Sequence, residues 1–399
     1  MKLNELFQLM ENIDMSSLIN DDLQSIEKVF KSNGFDIKIA GGAVRDLLLG
    51  KEPKDVDLAT TATPDQMVEI LKDFRTIPTG LQHGTMTVLG PETGEPYEIT
   101  TLRIDSNQDG RHADVEFTTN FKRDAARRDL TYNAMFLDFD GTLHDFFGGA
   151  EDLKNATTRA VGDTSERFKE DFLRILRMFR FSARYGHSLD DETLEAISSN
   201  AKGLKQISGE RIWAEIQKIL VSPHATTALR QLSETGVDKV IGFPTVISTV
   251  LDRLPEVATF DDPILVLALL ASYQEAMQIV TNWKLSADER DLLLFVTSHK
   301  VQTKLLSSDE SMKNQIANSK NPEKLKSYLA ATLRVVGKNP SSIESWQVPT
   351  FPVTGQDLIN LGMKPGKELG QILSSLKSKW TKSNYTVSKD SLLSDLTSQ

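Results

Sequence analysis

Two aspartates one residue apart, Asp55-Val56-Asp57, follow a glycine pair in the stretch from Ile37 to Asp57. That stretch reads as a strand, Gly41-Gly42, a short helix from Ala43 to Leu49, a turn from Gly50 to Pro53, and a second strand carrying the aspartates. Glycines between a strand and a helix let backbone N–H groups approach a phosphate, and the helix dipole favours that anion. Arg45, on the first turn of the helix, adds a charged fork suited to a triphosphate. Residues i and i+2 of a strand point to the same side, so Asp55 and Asp57 present two carboxylates to one spot while Val56 and Leu58 face the core. Paired carboxylates beside a phosphate cradle make a site for a hard cation such as Mg²⁺. A calcium loop is excluded, because Leu58 to Gln66 offers neither its glycine nor its closing glutamate. Glu98, on a following strand, is a candidate third carboxylate, with an exposed strand residue as the other reading.

A second cluster, Arg127-Arg128-Asp129-Leu130-Thr131-Tyr132-Asn133-Ala134, is dense in donors, and in its functional reading Arg128 reaches the nucleotide. A third follows from Glu170 to Arg180. Phe172, Ile175, Leu176, Phe179 and Ala183 recur at helical spacing and make the buried stripe of an expected helix. Asp171, Arg174, Arg177 and Arg180 step by three along the remaining surface, each about 60° from the last. A solvated charged face is the alternative, but such faces mix Lys and Glu pairs and seldom carry three arginines in register.

Those side chains suit the selection of bases. An aspartate only accepts hydrogen bonds and an arginine only donates them. Cytosine and adenine each place an amino donor beside a ring-nitrogen acceptor, whereas uracil and guanine place a carbonyl beside a ring N–H. Asp171 and Arg174 together would match C and A and leave U and G with unpaired buried acceptors, a penalty that discriminates strongly.

The elements that must position these groups change character along the chain. Short β-type runs (Phe35 to Ala40, Thr85 to Leu89, Tyr97 to Ile104, Val115 to Thr118) alternate with helical stretches as far as Phe147, and Asp140-Gly141 marks a hairpin turn. Leu3, Leu6, Phe7 and Met10, then Leu23, Ile26, Val29 and Phe30, predict amphipathic helices ahead of this mixed portion. After Glu151 the strand signal almost vanishes, which predicts an all-helical remainder interrupted by a loop-rich stretch from Lys300 to Lys326 and by a joint at Pro349 to Gly355. The fold class is therefore α+β.

Composition narrows the function classes. The chain has 399 residues, 39% hydrophobic and 26% charged, with a net charge of −10 and no cysteine. Disulfides, thiolate catalysis and Cys-based zinc sites are excluded. The longest apolar run, Ile264 to Ala271, is far below the roughly 20 residues of a membrane-spanning helix, and Pro263 opens it like a buried helix. The first twenty residues show neither a signal nor a transit peptide, so the expected location is cytoplasmic. An acidic chain does not coat nucleic acid by bulk attraction, so any RNA contact must come from local patches. One such patch lies between Thr350 and Gln399, where six lysines face four acids and three of them surround Trp380.

With these residues in hand, the chain resembles the class II CCA-adding enzymes, tRNA nucleotidyltransferases of the DNA polymerase β-like superfamily, and among them the animal mitochondrial-type branch. The likeness runs from Ile37 to the C-terminus. It rests on Gly41-Gly42-Ala43-Val44-Arg45-Asp46, Asp55-Val56-Asp57, Glu98 to Arg103, Arg127 to Thr131, Asp145 to Gly149 with Glu151-Asp152-Leu153, Glu170-Asp171 with its arginines, and Ser208 to Arg211. The resemblance implies a polymerase β-like head over residues 1–150, a base-reading neck over 151–220, a helical body over 221–348 and a tRNA-binding tail over 349–399. It implies nucleotide contacts at Gly42, Arg45, Arg128, Asp171, Arg174, Arg177 and Arg180, catalytic roles for Asp55, Asp57 and Glu98, and Mg²⁺ held by Asp55 and Asp57. The partners implied are tRNA, CTP and ATP, and the branch adds mitochondria as a possible compartment. It also implies that the polar loop from Asp105 to His112 helps one site switch from C to A. The expected reaction is template-independent addition of CCA to the 3′ end of tRNA by two-metal phosphoryl transfer. The rivals are a poly(A) polymerase, an enzyme adding only CC or only A, a small-molecule nucleotidyltransferase, and a non-catalytic RNA-binding protein of the same fold.

Overall fold

The first apolar run forms strand β1 (Ile37–Ala40), in which Ile37, Ile39 and Ala40 are buried. A computed structural model describes residues 18–106, 114–245, 260–302, 306 and 308–397. The expected helix at Leu3 to Met10 lies outside these residues. The chain divides into two compact units, Met1–Val246 and Ile247–Gln399.

The first unit is built on a seven-stranded sheet. Its strands are β1, β2 (Leu58–Thr60), β3 (Arg75–Gly80), β4 (Thr85–Leu89), β5 (Pro96–Thr101), β8 (Phe136–Leu137) and β9 (Leu143–His144), in the order β3-β4-β5-β2-β1-β8-β9. The β2–β5 pair is parallel, with Leu58 opposite Ile99. The other neighbours run antiparallel. The long run expected from Tyr97 to Ile104 breaks at Leu102. Its end becomes β6 (Arg103–Ser106), which pairs with β7 (Asp114–Phe117) in a separate ribbon. The expected turn at Asp140-Gly141 joins β8 to β9, with the Gly141 amide bonded to the Asp138 carbonyl. Strand β3 escapes the sequence reading because it is an exposed edge containing Pro78 and has no buried alternation to detect.

Helix α1 (Asp21–Ser32) is the first described helix, capped by Asn20, and of its expected stripe buries Leu23, Ile26 and Phe30 and half-buries Val29. Helix α2 (Gly42–Leu48) follows β1, α3 (Pro64–Ile70) follows β2, and α4 (Phe121–Ala126) follows β7. Beyond the sheet come α5 (Gly149–Lys154), α6 (Thr164–Glu170), α7 (Leu173–Tyr185), α8 (Asp191–Asn200), α9 (Gly209–Leu220), α10 (Ala225–Glu234) and α11 (Val237–Ile241). Helix α7 packs against α9 and α10. It buries the expected Ile175, Leu176, Phe179 and Ala183, and also Leu173, Met178, Phe181 and Ser182. Each large apolar side chain so buried contributes about 1.5–3 kcal/mol relative to exposure.

The second unit is helical among its described residues. The apolar helix Pro263–Leu270 starts at its proline, is capped by Asp262 and is buried from Ile264 onward. The stretch expected to be loop-rich is instead largely helical, with Asp309–Asn318 and Pro322–Val335 meeting through Met312, Ile316, Leu329 and Leu333. The first of these helices buries only a narrow stripe, which its polar composition hides. A terminal cluster of Val353, Leu358, Leu376, Trp380 and Leu392 puts Trp380 in a core, 3% exposed. Among the tail lysines, Lys377 donates to the Ser319 carbonyl and Lys389 pairs with Asp357.

Just beyond α7, His187 is buried against the rings of Tyr132 and Tyr185, and its Nδ1 has no hydrogen-bond partner. Burial, reinforced by His224 and Lys51, pushes the imidazole down to about 4, against a backbone hydrogen bond at Thr157. Between the ordinary histidine value and that one, the unfolded chain takes up a proton that the folded chain refuses. Stability is therefore complete above about pH 6.5 and falls with pH, by about 2 kcal/mol between pH 7 and 5 from this group. The expected outcome is that His187→Gln, neutral throughout, loses less melting temperature than the wild type when moved from pH 7 to 5. Parallel melting curves across that range would show that His187 does not set the acid limit.

Candidate active site

Strand β1 delivers the chain to Gly41, whose φ of 64° and ψ of −113° suit glycine alone. Its amide donates to the Met135 carbonyl at 3.0 Å, tying the turn to the residue before β8. A Cβ there would lie 2.8 Å from Arg128 Nη1 and 3.3 Å from the Asn133 carbonyl oxygen. Gly42 is less constrained, because a Cβ would meet only the flexible Arg45 guanidinium at 3.5 Å. Arg45 is 5% exposed and donates through Nε to Asp46 at 2.9 Å and through Nη1 to Asn133 Oδ1 at 2.6 Å. Its guanidinium also lies over the rings of Phe181 and Tyr185.

The two aspartates do not sit on a strand as the spacing suggested. Strand β2 begins at Leu58, and Asp55 and Asp57 occupy the connection leading into it. Sheet pairing still reaches Asp57 through its carbonyl, which accepts from the Ala40 amide at 2.9 Å. Val56 is half-buried, while Leu58 enters the core as expected. The parallel register that sets Leu58 opposite Ile99 brings Glu98 near Asp57. Burial, helped by the charges of Glu98 and Asp55, raises the Asp57 carboxyl against the pull of Arg128.

The stripe expected to read bases also departs from a continuous helix. Helix α6 ends at Glu170, Asp171 is extended (φ −151°, ψ 105°), and α7 starts at Leu173. The Asp171 carboxylate accepts from the Leu173 amide at 3.0 Å and from Arg211 at 2.8 Å. Phe172, expected in the buried stripe, is half-buried at the break. Arg174 pairs with Glu170 and donates to the carbonyls of Arg167 and Arg127. Arg177 forks onto Asp129 at 2.6 and 2.7 Å, and Arg180 onto the buried Glu215 at 3.0 Å. Burial alone would push Asp129 up and Arg177 down, but each holds the other charged. Arg128 is anchored on Asp124, where burial is again overcome by the Arg128 and Arg127 guanidiniums.

These groups surround one cavity of about 740 Å³. Its lining brings together Gly42, Arg45, Asp55, Asp57, Arg128, Asp171, Arg174, Arg177 and Arg180, nearly every site residue expected from the sequence. Glu98 is the exception and acts on the site through its charge on Asp57. Nine arginines and Lys54 face five aspartates around the cavity, so a chain of net charge −10 concentrates positive potential at one place. Sequence reading missed Asp46, Asn133, Arg184, Arg211 and Glu215. Asn133, Arg211 and Glu215 lie in or beside motifs already singled out, and the signal lacking was which charge each one meets. The loop proposed to switch between C and A lies outside the described residues from Asn107 onward.

A glycine turn, a carboxylate pair and a cation-lined cavity on a mixed sheet followed by helices define a nucleotidyltransferase of the polymerase β-like kind. Residues 37–159 match the poly A polymerase head domain, and residues 186–245 match the probable RNA and SrmB-binding site of polymerase A. The chain is 43% identical to the mitochondrial CCA tRNA nucleotidyltransferase 1 of Danio rerio, covering 96% of this chain and 92% of that one. It is 42% identical to the Homo sapiens protein of the same name over the same shares. The crystal structure of the Bacillus stearothermophilus CCA-adding enzyme in complex with CTP superposes with a TM-score of 0.73 at 29% identity, covering 92% of this chain and 94% of that one. The chain belongs to the CCA-adding enzyme family of tRNA nucleotidyltransferases.

The two glycines separate backbone strain from ligand approach. Gly41→Ala is expected to lower the melting temperature, at a cost of about 1–3 kcal/mol, and to displace Arg128. Gly42→Ala is expected to melt like the wild type while raising KM for CTP and ATP. Thermal denaturation beside steady-state kinetics checks both, and a Gly41→Ala protein as stable as wild type would refute the strained approach.

Proposed function

We propose that the cavity binds one nucleoside triphosphate at a time for the addition of C, C and A to the 3′ end of tRNA from CTP and ATP. The observation that carries this reading is the meeting of phosphate-suited, carboxylate and base-suited groups in one lining. Gly42, Arg45 and Arg128 hold the triphosphate. Asp171 and Arg174 face the Watson–Crick edge of the base, and Arg177 and Arg180 orient it. For Asp171 this means exchanging Arg211 for the exocyclic amine, and for Arg174 releasing a backbone carbonyl for the ring nitrogen.

Asp55 and Asp57 suit Mg²⁺. Their oxygens are hard ligands, and the charges of Glu98 and Asp55, which add to burial in raising the Asp57 carboxyl, are ones a divalent cation would offset. Among the described residues no group of three or more His, Asp or Glu side chains is arranged to hold an ion unaided. When bound, such ions lower the pKa of the RNA 3′-hydroxyl and neutralise charge on the departing pyrophosphate. The arginines that stay paired with Asp129 and Glu215 orient the nucleotide without following it out.

Extension of tRNA lacking its CCA end with single nucleoside triphosphates tests the activity and separates it from addition of A alone. Asp55→Ala and Asp57→Ala should each abolish incorporation of CTP and ATP and leave tRNA binding largely intact. A rate above about a tenth of wild type, or roughly 1.4 kcal/mol of barrier, contradicts shared ligation. Asp171→Ala should lower the preference for CTP over UTP more than it weakens tRNA binding. An unchanged preference would remove Asp171 from base reading.

A further inference from the structure

Asn133 occupies a position that neither the carboxylate pair nor the base-reading stripe explains. It closes a short helical turn after the arginine pair, is 8% exposed and lines the cavity. Its Oδ1 accepts from Arg45 Nη1 at 2.6 Å, and its Nδ2 donates to Asp129 Oδ1 at 3.2 Å. The other Asp129 oxygen takes the Arg177 fork. On the far side, Arg45 is held by Asp46, and Asp46 accepts from the Tyr185 hydroxyl at 3.0 Å. Arg177 and Tyr185 both belong to α7. The path Arg177, Asp129, Asn133, Arg45, Asp46, Tyr185 is thus a closed circuit that starts and ends on one helix.

The chemistry of each end dictates the middle. A guanidinium only donates and a carboxylate only accepts, so a residue joining them must do both at once through a short side chain. Asparagine does. An aspartate there would set a carboxylate against Asp129, and an alanine would leave Arg45 and Asp129 each short of a buried partner.

The geometry points to Asn133 as a positioning residue that couples triphosphate binding at Arg45 to the orientation of the base by Arg177, and so to its discrimination. A shift of Arg45 toward phosphate draws Asn133 Oδ1 with it and turns the opposite amide edge against Asp129, which sets the Arg177 fork. The same backbone turn steadies a second phosphate-side group, because the Asn133 carbonyl accepts from Arg128 Nη1 at 3.1 Å. The inference rests on the assignment of Arg45 to the triphosphate and Arg177 to the base.

CTP and UTP carry the same triphosphate, so a defect confined to phosphate binding or to folding lowers kcat/KM for both equally and leaves their ratio alone. The test measures the CTP-to-UTP ratio of kcat/KM on tRNA lacking its CCA end, for wild type, Arg45→Lys, Asn133→Ala and the double variant. Arg45→Lys is expected to raise KM for both nucleotides and also to lower the ratio about fivefold. Asn133→Ala is expected to lower the ratio by itself, and adding Arg45→Lys to it should change the ratio less than about twofold. An Arg45→Lys enzyme with raised KM but an unchanged ratio overturns the coupling and leaves the assignment of Arg45 standing. Unchanged kcat/KM for both nucleotides removes Arg45 from the triphosphate, and the coupling with it. Asn133→Asp, of equal size, replaces the alanine variant if that one does not fold, and a wild-type ratio in it also overturns the proposal. Should neither fold, the ratio in Arg45→Lys alone decides.

Discussion

Ten cationic side chains around one cavity repel one another before any nucleotide arrives, and the surrounding structure answers that repulsion. Every arginine expected to meet substrate already has an oxygen partner: Arg45 has Asp46, Arg128 has Asp124, Arg174 has Glu170, Arg177 has Asp129 and Arg180 has Glu215. Several of these acceptors are themselves buried, Asp124 at 1% exposure and Glu215 at 5%. A buried ion pair gives little net stability, because desolvation offsets attraction, yet removing one partner strands the other at about 3–5 kcal/mol. The pairing therefore acts as a placement device. It holds fork-shaped donors at set angles, so a triphosphate meets an arranged surface.

The same acceptors join the sheet to the helices beyond it. Glu170 takes both Arg167 and Arg174, and those arginines donate onward to the carbonyls of Arg128 and Arg127 just after α4. A helix running unbroken from Glu170 would carry Asp171 around its own axis. The interruption at Asp171 leaves α6 and α7 free to differ in direction and turns the aspartate toward Arg211 on α9. Beneath this, Phe181 and Tyr185 stack with their planes 9° apart, and their faces carry Arg45, Arg177, Arg180 and Arg184. Cation–π contact of this kind contributes about 0.5–2 kcal/mol per pair and keeps guanidinium planes oriented. One helix thus supplies Arg177, Arg180 and Arg184, the aromatic floor beneath them and, through Tyr185 and Asp46, an anchor for Arg45.

Local chemistry was legible in the amino-acid order because it depends on neighbours. The glycine turn, the aspartate pair, the arginine spacing, the buried stripe of α7 and the proline-started helix at Pro263 all arise from contacts within a few residues. So do β1 and β4, short β-type runs buried over most of their length. The edge strand β3 and the polar helix Asp309–Asn318 were not legible, since neither buries enough surface to leave a periodic mark. What only the tertiary structure decided is which charges meet. Arg45 finds Asn133 across 88 positions, Asp46 finds Tyr185 across 139, and Asp171 finds Arg211 across 40. Periodicity describes one element's own face and carries no information on which other face packs against it. The sequence by itself therefore determined the kinds of group this protein brings to a nucleotide, and the packing of α7 against the sheet turn and α9 determined their partners, because a charge is positioned by whatever burial sets beside it.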